Sequence, residues 1–240
     1  MTLQILRPLP ELLNVNGDGE NALVLARRAI WAGLDAEIVD HSDSRPDAIV
    51  IGSGFDGDLA EVAALLAPLR EQLIDAVASG VPIIAIGTGM ELLTTRIVLG
   101  SGEVIDGLGM LPGEVLPRDE RVSGDVVVES RFGTLVGFEN HARRYALPVD
   151  AQALGTVLQG DGNGTPERTE GVIAGSVLGS RIRGPLLAKN PALADHLLET
   201  MTKGAYRATS ATSATSANAT SADMLASIVR SQTLKRIASA

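Results

Sequence analysis

A tight turn of small residues joins a buried strand to a helix in the first half of the chain. The apolar run 81–86 leads into Gly87-Thr88-Gly89, and a helical stretch begins at Met90. A strand, a tight turn and a helix in this order form a nucleophile elbow, which presents a side chain for attack on a carbonyl group. Thr88 supplies a hydroxyl here, although a small residue that merely suits the turn is the favoured interpretation. The sequence contains no cysteine, which excludes a thiolate nucleophile, disulfides, thiolate metal sites and iron–sulfur clusters.

Nucleotide and metal sites are not predicted. The segment Gly52-Ser53-Gly54 lacks the third glycine of a dinucleotide-binding loop, and the chain has no Gly-x-x-x-x-Gly-Lys-Ser/Thr phosphate loop. ATP binding by this chain is therefore not expected. His41, His141 and His196 are far apart in the sequence and no cysteine accompanies them, so no zinc site is expected either. The sequence predicts no cofactor.

The elements that must position the turn follow a βαβ rhythm. Short apolar runs at Leu3–Leu6, Ala36–Val39 and Ala48–Ile51 predict strands, a helix is expected at about 20–32, and the spacing of apolar residues predicts one long amphipathic helix over 59–79. This alternation is typical of an α/β fold with a mostly parallel sheet flanked by helices. The elbow and residues 87–91 then lie at the carboxyl edge of the strands, where such sheets bind ligands.

The second half contains short alternating strands and then a break in composition. The strands, at 125–129, 134–138, 155–158 and 171–174, are expected either to extend the sheet or to add an antiparallel wing. A turn and a last helix are predicted over 185–203. We therefore divide the chain into one domain at 1–203, a disordered Thr/Ser/Ala-rich linker at 204–222, and a segment at 223–240 that is either a docking helix or a frayed tail.

The charge and composition of the chain limit the kinds of partner that it can bind. The net charge of the chain is −9. The residues after Thr202 carry five basic side chains and one acidic side chain, so residues 1–202 carry a net charge of −13. Such a body repels phosphate backbones, and nucleic-acid binding is not expected. The N-terminus lacks the pattern of a secretory signal, and no apolar window is long enough for a membrane span. These features predict a cytoplasmic protein.

Several motifs occur in the order found in one protein family. A Gly-Phe-Glu-Asn-His run at 137–141 is the most specific of them, and the resemblance covers residues 3–203. The chain resembles the class I glutamine amidotransferases, in the branch with a CobB/CobQ-like domain that includes GatD-like subunits of lipid II isoglutaminyl synthase. The resemblance implies a flavodoxin-like α/β fold. The segments that carry it are 12–21, 51–56, 85–91, 107–109, 124–130, 132–141 and 184–190.

The catalytic positions of that family are altered in this sequence. The resemblance implies an elbow cysteine at the position of Gly87, a histidine at that of Arg183 and a substrate-holding glutamine at that of Glu91. A glycine cannot form an acyl intermediate, and the loss of a nucleophile costs several orders of magnitude in rate. We therefore assign no catalytic residue and regard Gly87 and Arg183 as vestigial positions.

The resemblance also implies a substrate rim around the elbow. Backbone amides of Gly52, Ser53 and Gly54 would form an oxyanion hole in an active relative. Arg121 matches an arginine near the mouth of the site, with an ordinary solvated arginine as the alternative. With Thr88 and Glu91 these are the candidate substrate-binding residues. Glu139, Asn140 and His141 are expected to support the fold or the rim.

Two functions from different classes follow from this reading. The first is a catalytically degenerate, non-catalytic or regulatory subunit that partners a Mur-ligase-like protein in the amidation of a peptidoglycan precursor, lipid II. In the family that partner performs the ATP-dependent step. The second is an enzyme or binding protein whose pocket uses Glu91, Arg121 and Arg183 to hold a different anionic small molecule, such as a carboxylate.

Overall fold

A central parallel sheet organises the computed structural model, which describes residues 2–206 and 217–238. Its strands run parallel except for the last, which pairs antiparallel with its neighbour. The order of the strands is that of the flavodoxin-like folds, so the predicted α/β architecture is confirmed. From edge to edge the strands are β2 (Ala36–Val39), β1 (Leu3–Leu6), β3 (Ala48–Ile51), β4 (Ile83–Ile86), β12 (Val177–Ser180) and β11 (Val172–Ala174).

Helices cover both faces of this sheet. Alternate strand residues point to opposite faces, so Val50 of β3 packs into one apolar cluster and its neighbours Ile49 and Ile51 into the other. The first cluster includes side chains of α1, α5 and α6, and the second includes side chains of α2, α3 and α4. The helices are α1 (Asn21–Trp31), α2 (Leu59–Leu66), α3 (Arg70–Ala78), α4 (Thr88–Leu93), α5 (Leu186–Lys189), α6 (Pro191–Met201) and α7 (Ala217–Ala238).

The prediction of a single helix over 59–79 is wrong at its centre. Helix α2 ends at Leu66, a 3₁₀ turn spans Ala67–Leu69, and α3 begins at Arg70. Pro68 has no backbone N–H and its ring clashes with the preceding turn, so a regular helix cannot continue through it. The apolar spacing persists across the break because both halves cover the same face of the sheet.

Most strands of the second half form, with two short strands before them, a mostly antiparallel wing. The two longest, β7 and β8, make a ribbon that carries residues 139–143 toward the elbow. The segment at 171–174 instead supplies β11 of the central sheet. Strand β12 was not predicted, because its four residues include a glycine and show no alternation. The wing contains β5 (Arg96–Val98), β6 (Val104–Asp106), β7 (Glu114–Ser130), β8 (Gly133–Ala146), β9 (Gly155–Gln159) and β10 (Thr169–Glu170).

The last helix docks on the body of the protein. Helix α7 begins at Ala217, so residues 217–222, predicted as linker, are helical. Residues 207–216 of that predicted linker lie outside the described residues. Helix α7 packs on α1 and α5, with an ion pair of 2.7 Å between Asp223 and Arg28. Among the helices of the described ranges, none is both long enough and apolar enough to cross a membrane.

Candidate functional site

The elbow turn lies at the carboxyl end of β4, with Gly87 at its apex. Gly87 has φ +57° and ψ −120°, and its backbone N–H donates to the carbonyl oxygen of Ser180 on the neighbouring strand β12. A Cβ atom built on Gly87 would lie 2.0 Å from Nη1 and 2.1 Å from Cζ of Arg183. The guanidinium of Arg183 therefore occupies the space into which any side chain at position 87 would project.

Arg183 is held in this space by partners on two other elements. Its Nη1 donates to Oδ2 of Asp18 at 2.9 Å, and its Nη2 donates to the carbonyl oxygen of Asn140 at 3.0 Å. The other carboxylate oxygen of Asp18 accepts the backbone N–H of Gly184 at 2.7 Å. Both Arg183 and Asp18 are buried. The structure thus brings Gly87 and Arg183 together in one cleft and fills that cleft with an internal ion pair.

The glycine loop after β3 is bound to Thr88 rather than left open. The N–H of Gly54 donates to Oγ1 of Thr88 at 2.6 Å, and the N–H of Thr88 donates to Oγ of Ser53 at 3.2 Å. Ser53 and Thr88 are both buried. A backbone amide of the expected oxyanion hole is therefore already paired with a side-chain hydroxyl. The hydroxyl of Thr88 is itself engaged with the glycine loop.

Close backbone packing accounts for the small residues around this loop. A Cβ on Gly52 would lie 1.9 Å from the carbonyl oxygen of Leu13, and a Cβ on Gly89 would lie 2.2 Å from the carbonyl oxygen of Gly52. Real Cβ atoms do not approach other atoms so closely, so only glycine fits at either position. The two glycines are needed for the fold whether or not a ligand binds.

Glu91 lies at the centre of a buried ion-pair cluster. Its Oε1 accepts a hydrogen bond from Nη2 of Arg181 at 2.6 Å, and its Oε2 accepts one from Nε of Arg143 at 2.8 Å. Arg143 reaches on to Asp56 at 2.5 Å, and Asp56 also pairs with Arg121. The candidate rim residues Glu91 and Arg121 are therefore linked through charges that the chain itself supplies.

The electrostatics of this cluster favour its ionised form. Burial by itself raises the pKa of Glu91, but the guanidinium groups of Arg143 and Arg181 outweigh that effect and hold the pKa below its ordinary value. Burial likewise raises the pKa of Asp56, and Arg143 and Arg121 again outweigh it, so that pKa is lowered. Both carboxylates are charged at neutral pH, so each is paired with two of the three guanidinium groups of the cluster.

Four members of these ion pairs were not predicted as site residues: Asp18, Asp56, Arg143 and Arg181. Asp18 and Asp56 lie inside the matched segments 12–21 and 51–56, Arg143 lies two residues after the segment 132–141, and Arg181 lies three residues before the segment 184–190. Their positions inside or next to matched segments were therefore the only sequence signal that could have indicated these four residues. Their pairing was not visible, because the partners of Glu91 are 52 and 90 residues away and the partner of Arg183 is 165 residues away.

His141 and Glu139 lie beside the cluster in supporting positions. His141 is buried, and its Nδ1 lies 3.0 Å from the carbonyl oxygen of Arg143, an acceptor to which only a protonated Nδ1 can donate. Glu139 accepts the backbone N–H groups of Asp161 and Gly162 at 2.7 and 2.8 Å. Burial, with the nearby charge of Arg181, lowers the pKa of His141 to about 3. Of the other histidines, His41 is exposed and His196 lies against the ring of Phe132.

The low pKa of His141 predicts a pH dependence of stability. In the unfolded chain this histidine binds a proton below about pH 6.5, whereas in the folded chain it stays neutral down to about pH 3. Its contribution is therefore complete above pH 6.5 and is lost as the pH falls, by up to about 1.4 kcal/mol per pH unit. Urea denaturation between about pH 7.5 and pH 5 measures this slope.

Two variants separate this contribution from other titrations. His141→Gln is expected to reduce the slope by about one proton, and His41→Gln, at an exposed histidine, is expected to leave it unchanged. Equal slopes in the wild type and His141→Gln would contradict the assignment of a neutral, buried His141.

Comparisons with known proteins match this arrangement to one family. Residues 5–191 match the CobB/CobQ-like glutamine amidotransferase domain. The chain is 32% identical over 204 residues to the lipid II isoglutaminyl synthase (glutamine-hydrolyzing) subunit GatD of Staphylococcus aureus, covering 82% of this chain and 83% of the relative. The GatD subunit of Streptococcus pneumoniae is 33% identical over 204 residues, covering 81% and 78% of the two chains.

Solved structures agree on the fold. A crystal structure of a glutamine amidotransferase superposes with a TM-score of 0.59 at 21% identity, covering 82% of this chain and 98% of the other. A chain of PurLQS from Thermotoga maritima superposes with a TM-score of 0.57 at 19% identity, covering 85% and 97%. These two likenesses concern the fold alone. With the matched domain and the two GatD relatives, they lead to one conclusion: this chain belongs to the CobB/CobQ-like glutamine amidotransferase family.

Proposed function

We propose that this chain is a non-catalytic, GatD-like subunit that works in the cytoplasm with a Mur-ligase-like partner in the amidation of lipid II. The lipid II part of this proposal comes from the names of the two GatD relatives. The non-catalytic part is supported above all by one observation, the guanidinium of Arg183 lying where a nucleophile at position 87 would project. The fold around the site is intact, which suits a subunit whose role is to bind rather than to react.

The chemistry of the two exchanged positions supports a loss of glutaminase activity. Amide hydrolysis through an acyl intermediate needs a nucleophilic atom at the elbow, and Gly87 has none. It also needs a group that takes up a proton and returns it to the departing ammonia. Arg183 cannot do this, because arginine side chains are not deprotonated in proteins.

The contacts in the cleft do not favour a pocket converted to bind a different anion. Arg183 is paired with Asp18, Arg121 with Asp56, and Glu91 with two arginines. A ligand carboxylate would have to displace one of these internal carboxylates. Thermal-shift measurements with glutamine, glutamate and related carboxylates test this alternative, because a ligand that binds the folded chain stabilises it saturably.

The direct test of the non-catalytic role is ammonia release from glutamine by the purified full-length chain. The GatD subunit of Staphylococcus aureus, assayed beside it, provides the reference rate. We expect this chain to be slower by at least about 10⁴-fold, the scale on which loss of a catalytic nucleophile acts. Ammonia release within about tenfold of the reference would overturn the proposal.

The proposed partner is tested separately. The chain is purified by affinity from its native host, and the proteins that accompany it are identified by mass spectrometry. A Mur-ligase-like protein recovered in stoichiometric amount is the expected result. If no such protein is recovered, the proposed partner is wrong. The non-catalytic role is unaffected by that result, because the ammonia assay tests it independently.

A further inference from the structure

Helix α7 turns its large aliphatic side chains away from the body of the protein. The side chains that it buries against the body are Ala226 and Thr233. Large hydrophobic residues normally form the buried stripe of a surface helix, so this arrangement is inverted. The outward residues are Met224 and Leu225, each 59% exposed, Ile228, 46% exposed, and Val229, 39% exposed.

Polar contacts hold α7 in this orientation. Asp223 pairs with Arg28 at 2.7 Å, Nη1 of Arg230 donates to Oδ1 of Asn190 at 2.8 Å, and Arg236 pairs with Asp125 at 2.7 Å. The aliphatic side chains take no part in these anchors. Docking on the body therefore leaves them available to a second surface.

The apolar surface continues from α7 onto α1. The two helices enclose a groove of about 340 Å³, and apolar side chains dominate its walls. Leu23 is exposed beside it, and Trp31, the only tryptophan of the sequence, lines it. The apolar side chains that line the groove are Leu23, Val24, Trp31, Leu187, Ala188, Ala222 and Leu225.

The charge of this face is opposite to that of the whole chain. The chain carries −9, but the described part of α7 has three basic residues, Arg230, Lys235 and Arg236, and one acid, Asp223. Asp223 pairs with Arg28 and Arg236 pairs with Asp125, so Arg230 and Lys235 remain as the basic residues of α7 outside these ion pairs. Arg27 stands exposed on α1 at the groove, and Lys235 is exposed near the end of α7. The face is therefore apolar and positive on an otherwise acidic protein.

We propose that this α1–α7 face binds the surface of an anionic lipid membrane. A helix that exposes aliphatic side chains beside lysine and arginine can lie in the headgroup region of a bilayer, where burial of the aliphatic groups and attraction to anionic lipids act together. A second copy of the chain fits this face less well, because a two-fold pair would bring the same cations together. The acidic remainder of the chain orients the protein with this face toward the lipid.

The test uses vesicles and the full-length chain. Cosedimentation compares vesicles of phosphatidylcholine alone with vesicles that contain equal parts of phosphatidylcholine and phosphatidylglycerol. We expect binding to be at least roughly tenfold tighter with the anionic vesicles, and to weaken as salt rises from about 0.05 M to about 0.5 M. Because Trp31 lines the groove and is the only tryptophan, its fluorescence should shift to shorter wavelength when vesicles are added.

Matched variants locate the binding face. Leu225→Gln with Ile228→Gln removes exposed aliphatic groups from α7, and Arg27→Gln with Lys235→Gln removes one exposed positive charge from α1 and one from α7. Leu65→Gln with Ile74→Gln makes the same aliphatic change at exposed positions of α2 and α3, on the opposite face of the central sheet. Each of the first two pairs should weaken binding at least about fivefold, and the third should not change it.

Three results would overturn the proposal. The first is no binding to anionic vesicles, and the second is equal weakening by the pair on α7 and the pair on α2 and α3. The third is a dimer of the wild-type chain in solution that the Leu225→Gln and Ile228→Gln changes dissociate, which would assign this face to a second copy. Circular dichroism and urea denaturation establish that each variant is folded.

Discussion

Gly87→Ala is expected to destabilise the protein by about 3–5 kcal/mol, which combines the cost of an overpacked core with that of a side chain at positive φ. The new Cβ would lie 2.0 Å from Nη1 of Arg183, and that guanidinium is held by Asp18 and by the carbonyl oxygen of Asn140. Relief of the clash therefore requires a buried ion pair to move. The free energy of unfolding in urea measures the loss.

A second glycine separates the two contributions to this loss. Gly175 has φ +59°, close to the +57° of Gly87, but nothing lies within 4 Å of a Cβ built on it. Gly175→Ala should therefore cost about 1–2 kcal/mol, the backbone contribution alone. If Gly87→Ala costs no more than this, Arg183 does not fill the elbow as described.

The clash also predicts that the effects of the two positions are not additive. Arg183→Ala removes the three atoms nearest to a Cβ at position 87, so Gly87→Ala should cost less in that background than in the wild type. The coupling between positions 87 and 183 in a double-mutant cycle is then expected to be about 2 kcal/mol or more. Additive effects would show that a side chain at position 87 does not contact Arg183.

Glu91→Gln is expected to destabilise the protein by about 3–5 kcal/mol, because it removes the counter-charge of the buried Arg181 and one of the two carboxylates that pair with the buried Arg143. Glu91 is fully buried and accepts hydrogen bonds from both Arg143 and Arg181. An amide of the same size keeps one acceptor oxygen but provides no negative charge. Glutamine is also the residue that the family resemblance implies at this position. The substitution that matches the family is therefore expected to lower the stability of this chain. Urea denaturation at neutral pH measures the effect.

An exposed pair provides the control for Glu91. Glu114 pairs with Arg96 on the wing, where both side chains are partly open to solvent. Glu114→Gln makes the same chemical change and should cost no more than about 1 kcal/mol, because water screens an exposed ion pair. Similar losses from the two variants would show that the Glu91 cluster contributes no more than an ordinary surface pair.

These two expectations bear on any attempt to restore chemistry at the elbow. A cysteine at position 87 meets the same clash as alanine while Arg183 is present. Replacement of Arg183 leaves Asp18 buried without its partner. The backbone N–H of Gly54 remains bonded to the hydroxyl of Thr88. Catalysis at this site therefore requires changes in the surroundings as well as at the two exchanged positions.

The sequence by itself determined the α/β class, most strands of the central sheet and the lack of a cysteine at the elbow. Apolar runs and helical spacing are local signals, so the strands Leu3–Leu6, Ala36–Val39 and Ala48–Ile51 are confirmed at the predicted bounds. The missing cysteine needs no structure, because covalent chemistry follows from residue type. Local signals failed where a single residue interrupts the pattern, as Pro68 does, or where a strand has no continuous apolar run, as in β12, which ends in Gly179 and Ser180.

Only the tertiary structure decided what occupies the site. The partners of Glu91 and Arg183 lie 52 to 165 residues away in the sequence. Ion pairs between such distant residues leave no periodic pattern, since any arginine can pair with any carboxylate that the fold brings near it. The position of α7, and the direction in which its aliphatic side chains point, likewise depend on contacts with α1 and α5. Those contacts exist only once the chain has folded, because residues distant in sequence become neighbours only then.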